Sequence, residues 1–164
     1  MSETILLTAT IKTNGCWWLK RSEVEDREND YYAALEKWLI NTDFDFVFVE
    51  NSGAELDFLN PLLEQYKDRV EVISYSDNDY DRSLGKGHGE LRTVNYAIEH
   101  SEKLKSSNII HKVSGHYYLT NIKNILDHLK KENIESKFDL IAYYHPPMFE
   151  YHVIPTVYFG MKKS

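Results

Sequence analysis

The segment from Ser74 to His100, SYSDNDYDRSLGKGHGELRTVNYAIEH, concentrates residue types that can do chemistry. It holds five acidic residues and three glycines, and Lys86 lies between two of the glycines. Glycines let the backbone approach a ligand closely, Lys86 supplies a positive charge, and a helix starting near Gly89 would direct free amides outward. These features suit a diphosphate or a sugar. The alternative is a glycine-rich helix start with Glu90 at the positive end of the helix dipole.

The run GKGHGE does not match the established phosphate-binding motifs. A P-loop needs a glycine four residues before Gly-Lys-Ser/Thr, and the G-x-G-x-x-G spacing is absent. The run also follows the third predicted strand, whereas a dinucleotide fingerprint follows the first.

Two carboxylates in the same segment, Asp77 and Asp79, form a candidate metal site. Oxygen ligands suit Mg²⁺ or Mn²⁺, and both side chains lie in one predicted loop. The alternative is a solvated acidic turn, which is the usual fate of such a run.

Apolar, β-rich runs alternate with helical patterns along the chain and predict one α/β domain over residues 1–164. The predicted order is β-α-β-α-β-α-β-α-β-β, which implies a mainly parallel, Rossmann-like sheet with helices on both faces. The strand runs are Thr4 to Ile11, Phe44 to Glu50, Val70 to Tyr75, Asn108 to Val113, Phe138 to Tyr144 and Ile154 to Met161. The polar clusters follow the first four runs, so they should converge at the carboxyl edge of the sheet, where open α/β sheets bind ligands.

Composition narrows the function classes. A net charge of −7 without a long basic run argues against nucleic-acid binding. Cys16 is the only cysteine, the amino terminus lacks the pattern of a signal peptide, and no run is long enough for a transmembrane helix. These features predict a protein of reducing cytoplasm.

Two runs carry a family resemblance, namely GKGHGELRTVNYAI and IHKVSGHYYLTN. Together with TATI, FVFVENSG and VEVISYS, they resemble small GT-A type nucleotide-sugar glycosyltransferases of large algal viruses and bacterial surface-polysaccharide clusters. The resemblance covers Thr4 to Asn121. It implies a nucleotide-binding half with the activated sugar over the carboxyl edge of the sheet.

The resemblance implies a role for each matching residue. A nucleotide would be bound by Thr8, Thr10, Ile11, Glu50, Asn51 and Ser52. Glu50 has an alternative role as a helix N-terminal acid beside a Ser52 cap. The donor sugar and diphosphate would be contacted by Lys86, Gly87, Asn95, Ser114 and Gly115. Glu90 and His116 are the catalytic candidates.

Ser114, Gly115 and His116 stand where the GT-A family usually carries Asp-x-Asp, the pair that holds a divalent cation. Two explanations remain open. Lys86, Lys112 and His116 would stabilise the leaving diphosphate directly, or Asp77 and Asp79 would be a displaced pair that holds Mn²⁺ or Mg²⁺. We favour the displaced pair, because an acidic chain offers few cations to a diphosphate.

Several other residues have a functional and a structural interpretation. Trp17 and Trp18 can stack on a sugar or fill core, and Tyr117 and Tyr118 should divide between packing and ligand contact. Arg27 can reach a phosphate or hold the Glu23–Glu25 loop, and the structural role is favoured. His145 and His152 have no spacing that makes them a pair and are interpreted as surface residues.

The sequence therefore predicts an enzyme of polysaccharide biosynthesis that transfers a hexose from a nucleotide diphosphate sugar to a glycan or other hydroxyl acceptor. The alternatives are an inactive nucleotide- or sugar-binding module and an unrelated α/β nucleotide hydrolase. The short tail after the fifth strand leaves three forms open: a minimal enzyme, a fragment, or an oligomer whose site is completed by a neighbouring copy.

Overall fold

A computed structural model describes residues 2–14, 21–132, 137, 139–142 and 158–162. The strands are β1 (Glu3–Ala9), β2 (Asp45–Glu50), β3 (Val70–Ser74), β4 (Ile109–Ser114), β5 (Leu140–Ala142) and β6 (Tyr158–Lys162). The α-helices are α1 (Val24–Asn41), α2 (Asn60–Tyr66), α3 (Lys86–His100), α4 (Glu102–Ser106) and α5 (Ile122–Lys131). Short 3₁₀ turns precede α2 (Asp57–Leu59) and α3 (Arg82–Leu84).

The described strands form one sheet in the order β3-β2-β1-β4-β6-β5. β1 pairs in parallel with β2 and β4, and β2 pairs in parallel with β3. β6 runs antiparallel to both β4 and β5. The prediction of a mainly parallel α/β sheet is therefore confirmed.

Alternation along each central strand produces two hydrophobic cores, one on each face of the sheet. Ile5 and Leu7 of β1 face one cluster, which α1, α2 and α5 cover, while Leu6 faces the other, which α3 and α4 cover. Phe48 and Val49 of β2 divide between the same two faces. Strands buried on both faces read as continuous apolar runs, which is why these segments were recognisable from sequence.

Three helix boundaries differ from the sequence prediction or refine it. α3 begins at Lys86 rather than near Gly89. The helical pattern from Gly89 to Leu104 is interrupted at Ser101, whose hydroxyl accepts the Leu104 amide at 3.0 Å and caps α4. Pro61 lies in the first turn of α2, where its missing amide hydrogen costs nothing.

The connections create a switch point between β1 and β4. The chain leaves β1 through α1 to β2 on one side, and returns from β3 through α3 and α4 to β4 on the other. The carboxyl ends of β1 and β4 therefore diverge into a crevice, which is the usual ligand position in open α/β sheets.

A charged cluster ties β1, β4 and α5 together away from this crevice. The Glu3 carboxylate lies 3.0 Å from His111 Nε2 and 2.7 Å from Lys130 Nζ. The hydrogen bond with His111 is the main cause that lowers the pKa of Glu3 from 4.5 to about 2, and Lys130 contributes as well. Glu3 thus stabilises the fold most in its ionised form.

We expect this cluster to make stability depend on pH. Because the folded-state pKa of Glu3 is depressed, its contribution is present above the unfolded value of 4.5 and is lost as pH falls towards about 2. This lowering of the Glu3 pKa corresponds to roughly 3 kcal/mol of unfolding free energy. Denaturant unfolding of the Glu3→Gln variant between pH 7 and pH 2 should lack this part of the pH dependence. The exposed-site variant Glu99→Gln is the control, and equal pH dependence in the two variants would contradict the assignment.

Among the helices in these described ranges, none has the length and apolar character needed to cross a bilayer.

Candidate functional site

A pocket of about 680 Å³ opens at the carboxyl edge of the sheet, over the switch point. The loops after β1, β2 and β4 contribute to it, and so does the segment that leads into α3. Its lining residues are Thr10, Thr13, Arg21, Arg27, Asp30, Tyr31, Asn51, Asn78, Tyr80, Arg82, Lys86, Gly89, Glu90, His116 and Tyr117. The predicted convergence of the polar loops at one edge is seen in the described residues.

The loop after β1 is fixed by two side chains from α1. Tyr31 Oη accepts the Thr10 amide at 3.1 Å, and Arg27 donates through Nε to the Thr10 carbonyl at 2.6 Å. Arg27 also donates to Tyr31 Oη at 2.8 Å. Burial raises the pKa of Tyr31, so the phenol stays protonated. Arg27 therefore holds the loop after β1, rather than the predicted Glu23–Glu25 loop, while it lines the pocket.

Asn51 links the loop after β2 to both neighbouring walls. Its Oδ1 accepts the Thr10 hydroxyl at 2.7 Å, and its Nδ2 donates to Thr93 Oγ1 at 2.8 Å. Thr93 in turn donates to the Gly89 carbonyl in the first turns of α3. Thr10 and Asn51, both predicted nucleotide ligands, are thus brought together at the pocket.

Glu50 is fully buried, and the protein's own donors occupy its carboxylate. The amides of Ile11, Ser52 and Ala54 donate to it at 2.9 to 3.0 Å, and the Ser52 hydroxyl donates as well. These contacts favour a role in fixing the two loops. No helix begins at Ser52, so Ser52 is not a helix cap and Glu50 is not a helix N-terminal acid. Nucleotide binding by Glu50 stays a prediction.

The Gly-Lys-Gly segment forms the first turn of α3. Gly85 precedes the helix with φ of +80°, a conformation that glycine adopts without strain. Gly89 is packed so closely that a Cβ there would lie 2.5 Å from the Tyr80 ring. Gly87 has open space around it. The glycines were predicted to let the backbone approach a ligand. In the structure, the group that lies close to Gly89 is the Tyr80 ring. Lys86 lines the pocket.

The pocket floor carries an ion pair between Glu90 and Lys112. Lys112 is fully buried in β4, and its ammonium contacts the Glu90 carboxylate, which also accepts the Thr8 hydroxyl. Burial lowers the pKa of Lys112, whereas the charge of Glu90 acts in the opposite direction. The Glu90 side chain is 24% exposed, so it remains accessible from the pocket. Ser114 Oγ lies 3.4 Å from the same ammonium.

The segment after β4 closes against β1 and presents His116. The Gly115 amide donates to the Thr8 carbonyl at 2.8 Å, and a Cβ at Gly115 would lie 2.9 Å from that oxygen. The His116 ring meets Tyr31 edge-on at 6.1 Å. Partial burial lowers the pKa of His116, and the positive charge of Arg27 adds to this effect. The imidazole is therefore neutral at pH 7 and able to accept a proton.

The two predicted metal ligands, Asp77 and Asp79, differ in their surroundings. Asp77 forms an ion pair with Arg92, while Asp79 is exposed. In the part of the chain that the structure describes, no group of three or more His, Cys, Asp or Glu side chains is placed to hold a metal ion. Cation binding by Asp77 and Asp79 stays a prediction.

Several predicted site residues are not among the residues that line the pocket, namely Thr8, Ile11, Glu50, Ser52, Asp77, Asp79, Gly87, Asn95, Ser114 and Gly115. Ile11 is buried in the core, and the Ser52 hydroxyl faces Glu50 and the Lys12 amide. Asn95 is exposed and does not line the pocket, because five residues along a helix place it about 140° from Glu90. Trp17, Trp18, His145 and His152 lie outside the described residues.

Other lining residues were not predicted from sequence. Tyr31, Asn78, Tyr80 and Arg82 belong to this set. The pairing of Lys112 with Glu90 was not predicted either, although Lys112 itself does not line the pocket. A lysine inside the apolar strand IIHKVS was a detectable signal, because a buried charge requires a partner. Tyr117 lines the pocket and Tyr118 packs on Trp38 with ring centres 5.0 Å apart, in the division that the sequence suggested.

Comparison of the chain with protein-family models and with curated proteins finds no match, so the functional argument depends on the geometry of the pocket.

Proposed function

We propose that the protein is a GT-A type glycosyltransferase that moves a hexose from a nucleotide diphosphate sugar to a glycan or other hydroxyl acceptor. The observation that carries the proposal is the pocket over the switch point, where a net positive lining occurs in a chain of net charge −7. Its volume of about 680 Å³ suits a ligand of this size. We place the activity in the cytoplasm, because the lone Cys16 cannot form an internal disulfide.

The donor would lie across the pocket with its diphosphate near the amino terminus of α3. Free amides at a helix start favour an anion, and Lys86 adds a positive charge there. Thr10 and Asn51, on the β1 and β2 side, would contact the nucleoside. This arrangement leaves Glu90 and His116 for the sugar and the acceptor.

In the transfer step, an acceptor hydroxyl attacks the anomeric carbon while the bond to the diphosphate oxygen breaks. The hydroxyl proton must pass to a base, and the diphosphate leaves with the bonding electrons. Glu90 and the neutral His116 are the proton acceptors that the pocket offers. Positioning of the acceptor and stabilisation of the leaving diphosphate supply the rest of the catalysis.

The test is release of nucleoside diphosphate from a panel of nucleotide sugars, with and without a mixture of sugar acceptors. We expect turnover of one donor to rise when its acceptor is present. Glu90→Gln should lower kcat by about 100-fold or more, as is usual for loss of a general base. The control is Glu99→Gln on the exposed face of α3. Nucleotide hydrolysis that needs no sugar would instead indicate a hydrolase.

One observation favours a binding module as the second candidate. The segment after β4 offers Ser114, Gly115 and His116 where the resemblance would place acidic residues. A protein that binds a nucleotide sugar tightly but releases no nucleoside diphosphate under any acceptor condition would support this alternative.

A further inference from the structure

The charges that line the pocket do not cancel. Among the described lining residues, four are cationic, namely Arg21, Arg27, Arg82 and Lys86, and two are anionic, namely Asp30 and Glu90. Each of these two anionic residues is already paired. Asp30 lies 2.8 Å from Arg21, and Glu90 contacts the buried Lys112. Arg27 and Arg82 therefore add positive charge to the pocket wall that these carboxylates do not neutralise.

Arg27 and Arg82 carry this charge without a carboxylate partner in the described ranges. Arg27 donates to the carbonyls of Thr10 and Arg21 and to Tyr31 Oη. Arg82 donates to the Asn78 carbonyl at 2.8 Å, and its guanidinium lies 4.5 Å from the centre of the Tyr80 ring.

Neutral partners orient these guanidinium groups but do not neutralise them. A guanidinium has five N–H donors, so the three bonds of Arg27 and the one bond of Arg82 leave donors for a ligand. Fixed guanidinium groups bind phosphate oxygens in a bidentate geometry. Their orientation before binding reduces the entropy lost on binding.

The acidic side chains nearby are less suited to binding the diphosphate, which they would have to do through a cation. Asp77, one of the two predicted metal ligands, is paired with Arg92. Arg27 and Arg82 place two positive charges on the pocket wall, where Lys86 lies as well. Protein side chains can thus stabilise the leaving diphosphate directly.

We infer that this pocket binds a nucleoside diphosphate through Arg27 and Arg82, without a divalent cation. The inference rests on the proposed function and names the means by which that site holds the diphosphate. It replaces the sequence-based preference for a displaced Asp77 and Asp79 pair.

The experiment measures binding of UDP, GDP, ADP, CDP and inorganic pyrophosphate by calorimetry, in EDTA and in Mn²⁺. We expect one nucleoside diphosphate to bind equally well in both. Arg27→Gln and Arg82→Gln should each raise the Kd of that nucleoside diphosphate by about 10- to 100-fold, the range for loss of a hydrogen bond to a charged group. Lys123→Gln, an exposed site on α5 outside the pocket, is the charge-matched control. Within the described residues, Arg82 donates one hydrogen bond, to the Asn78 carbonyl, so its variant remains informative if loss of Arg27 disturbs the fold.

Other outcomes would separate this inference from the proposed function. Binding that requires Mn²⁺ and is lost in Asp77→Asn would overturn the inference and leave the transferase intact. Pyrophosphate that binds as tightly as every nucleotide, with no donor turned over, would support the anion site and contradict the transferase. No binding of any of these compounds would overturn both.

Discussion

The Lys112→Met variant is expected to lose about 3 kcal/mol of unfolding free energy, because it leaves a partly buried carboxylate without its counter-charge. Lys112 is fully buried and contacts Glu90, whose side chain is 24% exposed. Methionine keeps the unbranched shape, so the loss reports the charge rather than a cavity. Thermal and denaturant unfolding measure this effect directly.

The same variant should also impair the reaction through Glu90. Lys112 is a positioning residue here, since it acts on the carboxylate that faces the pocket. Without the ammonium, the Glu90 carboxylate loses the contact that orients it towards the pocket, so kcat should fall while the donor KM changes little. A purely structural lysine would lower stability and leave kcat unchanged.

Two controls make the Lys112 result interpretable. Lys105→Met removes an exposed lysine that pairs with Glu102, and it should change stability by less than about 0.5 kcal/mol. In the double variant Lys112→Met with Glu90→Gln, stability should largely recover. Burial disfavours the charged form of Lys112 more strongly than Glu90 favours it, so replacing both partners removes that cost. A double variant less stable than Lys112→Met alone would contradict the ion-pair account.

The sequence was sufficient to predict the sheet and the edge at which the pocket lies. Runs such as FDFVFVE are apolar on both faces because helices cover both sides of the sheet, and this pattern is local. The polar loops follow directly from strand order, since parallel strands end at one edge. The sheet and the pocket edge can therefore be predicted without knowing which side chains contact one another.

The partners within the pocket depend on contacts between distant segments, which sequence patterns do not contain. Glu90 and Lys112 belong to different elements, α3 and β4, and meet only when α3 packs against the sheet. Arg27 reaches the Thr10 carbonyl from α1 across the loop between them. Asn95 is different, because the 100° spacing of helical residues already separates it from Glu90. Its contact with the donor stays a prediction.

The contacts of Glu50 favour a structural role, while its predicted role in nucleotide binding stays a prediction. Glu50 is the last residue of β2, and its carboxylate accepts hydrogen bonds from amides of the loops after both β1 and β2. A buried carboxylate that satisfies several amides stabilises the loops that form the pocket wall. Its contribution to ligand binding would then be indirect.

We expect Glu50→Gln to lower the unfolding free energy by about 2–4 kcal/mol, since charged hydrogen bonds are weakened and the new amide group opposes a backbone N–H. Glu55→Gln, on an exposed residue of the same loop, is the matched control and should be close to neutral. The structural role predicts loss of stability in the ligand-free protein, with donor KM raised and kcat little changed. If Glu50 instead binds the nucleobase, the ligand-free variant will unfold like the wild type and lose affinity for one base only. Denaturation without ligand, followed by binding of the nucleotide panel, therefore decides between the two roles.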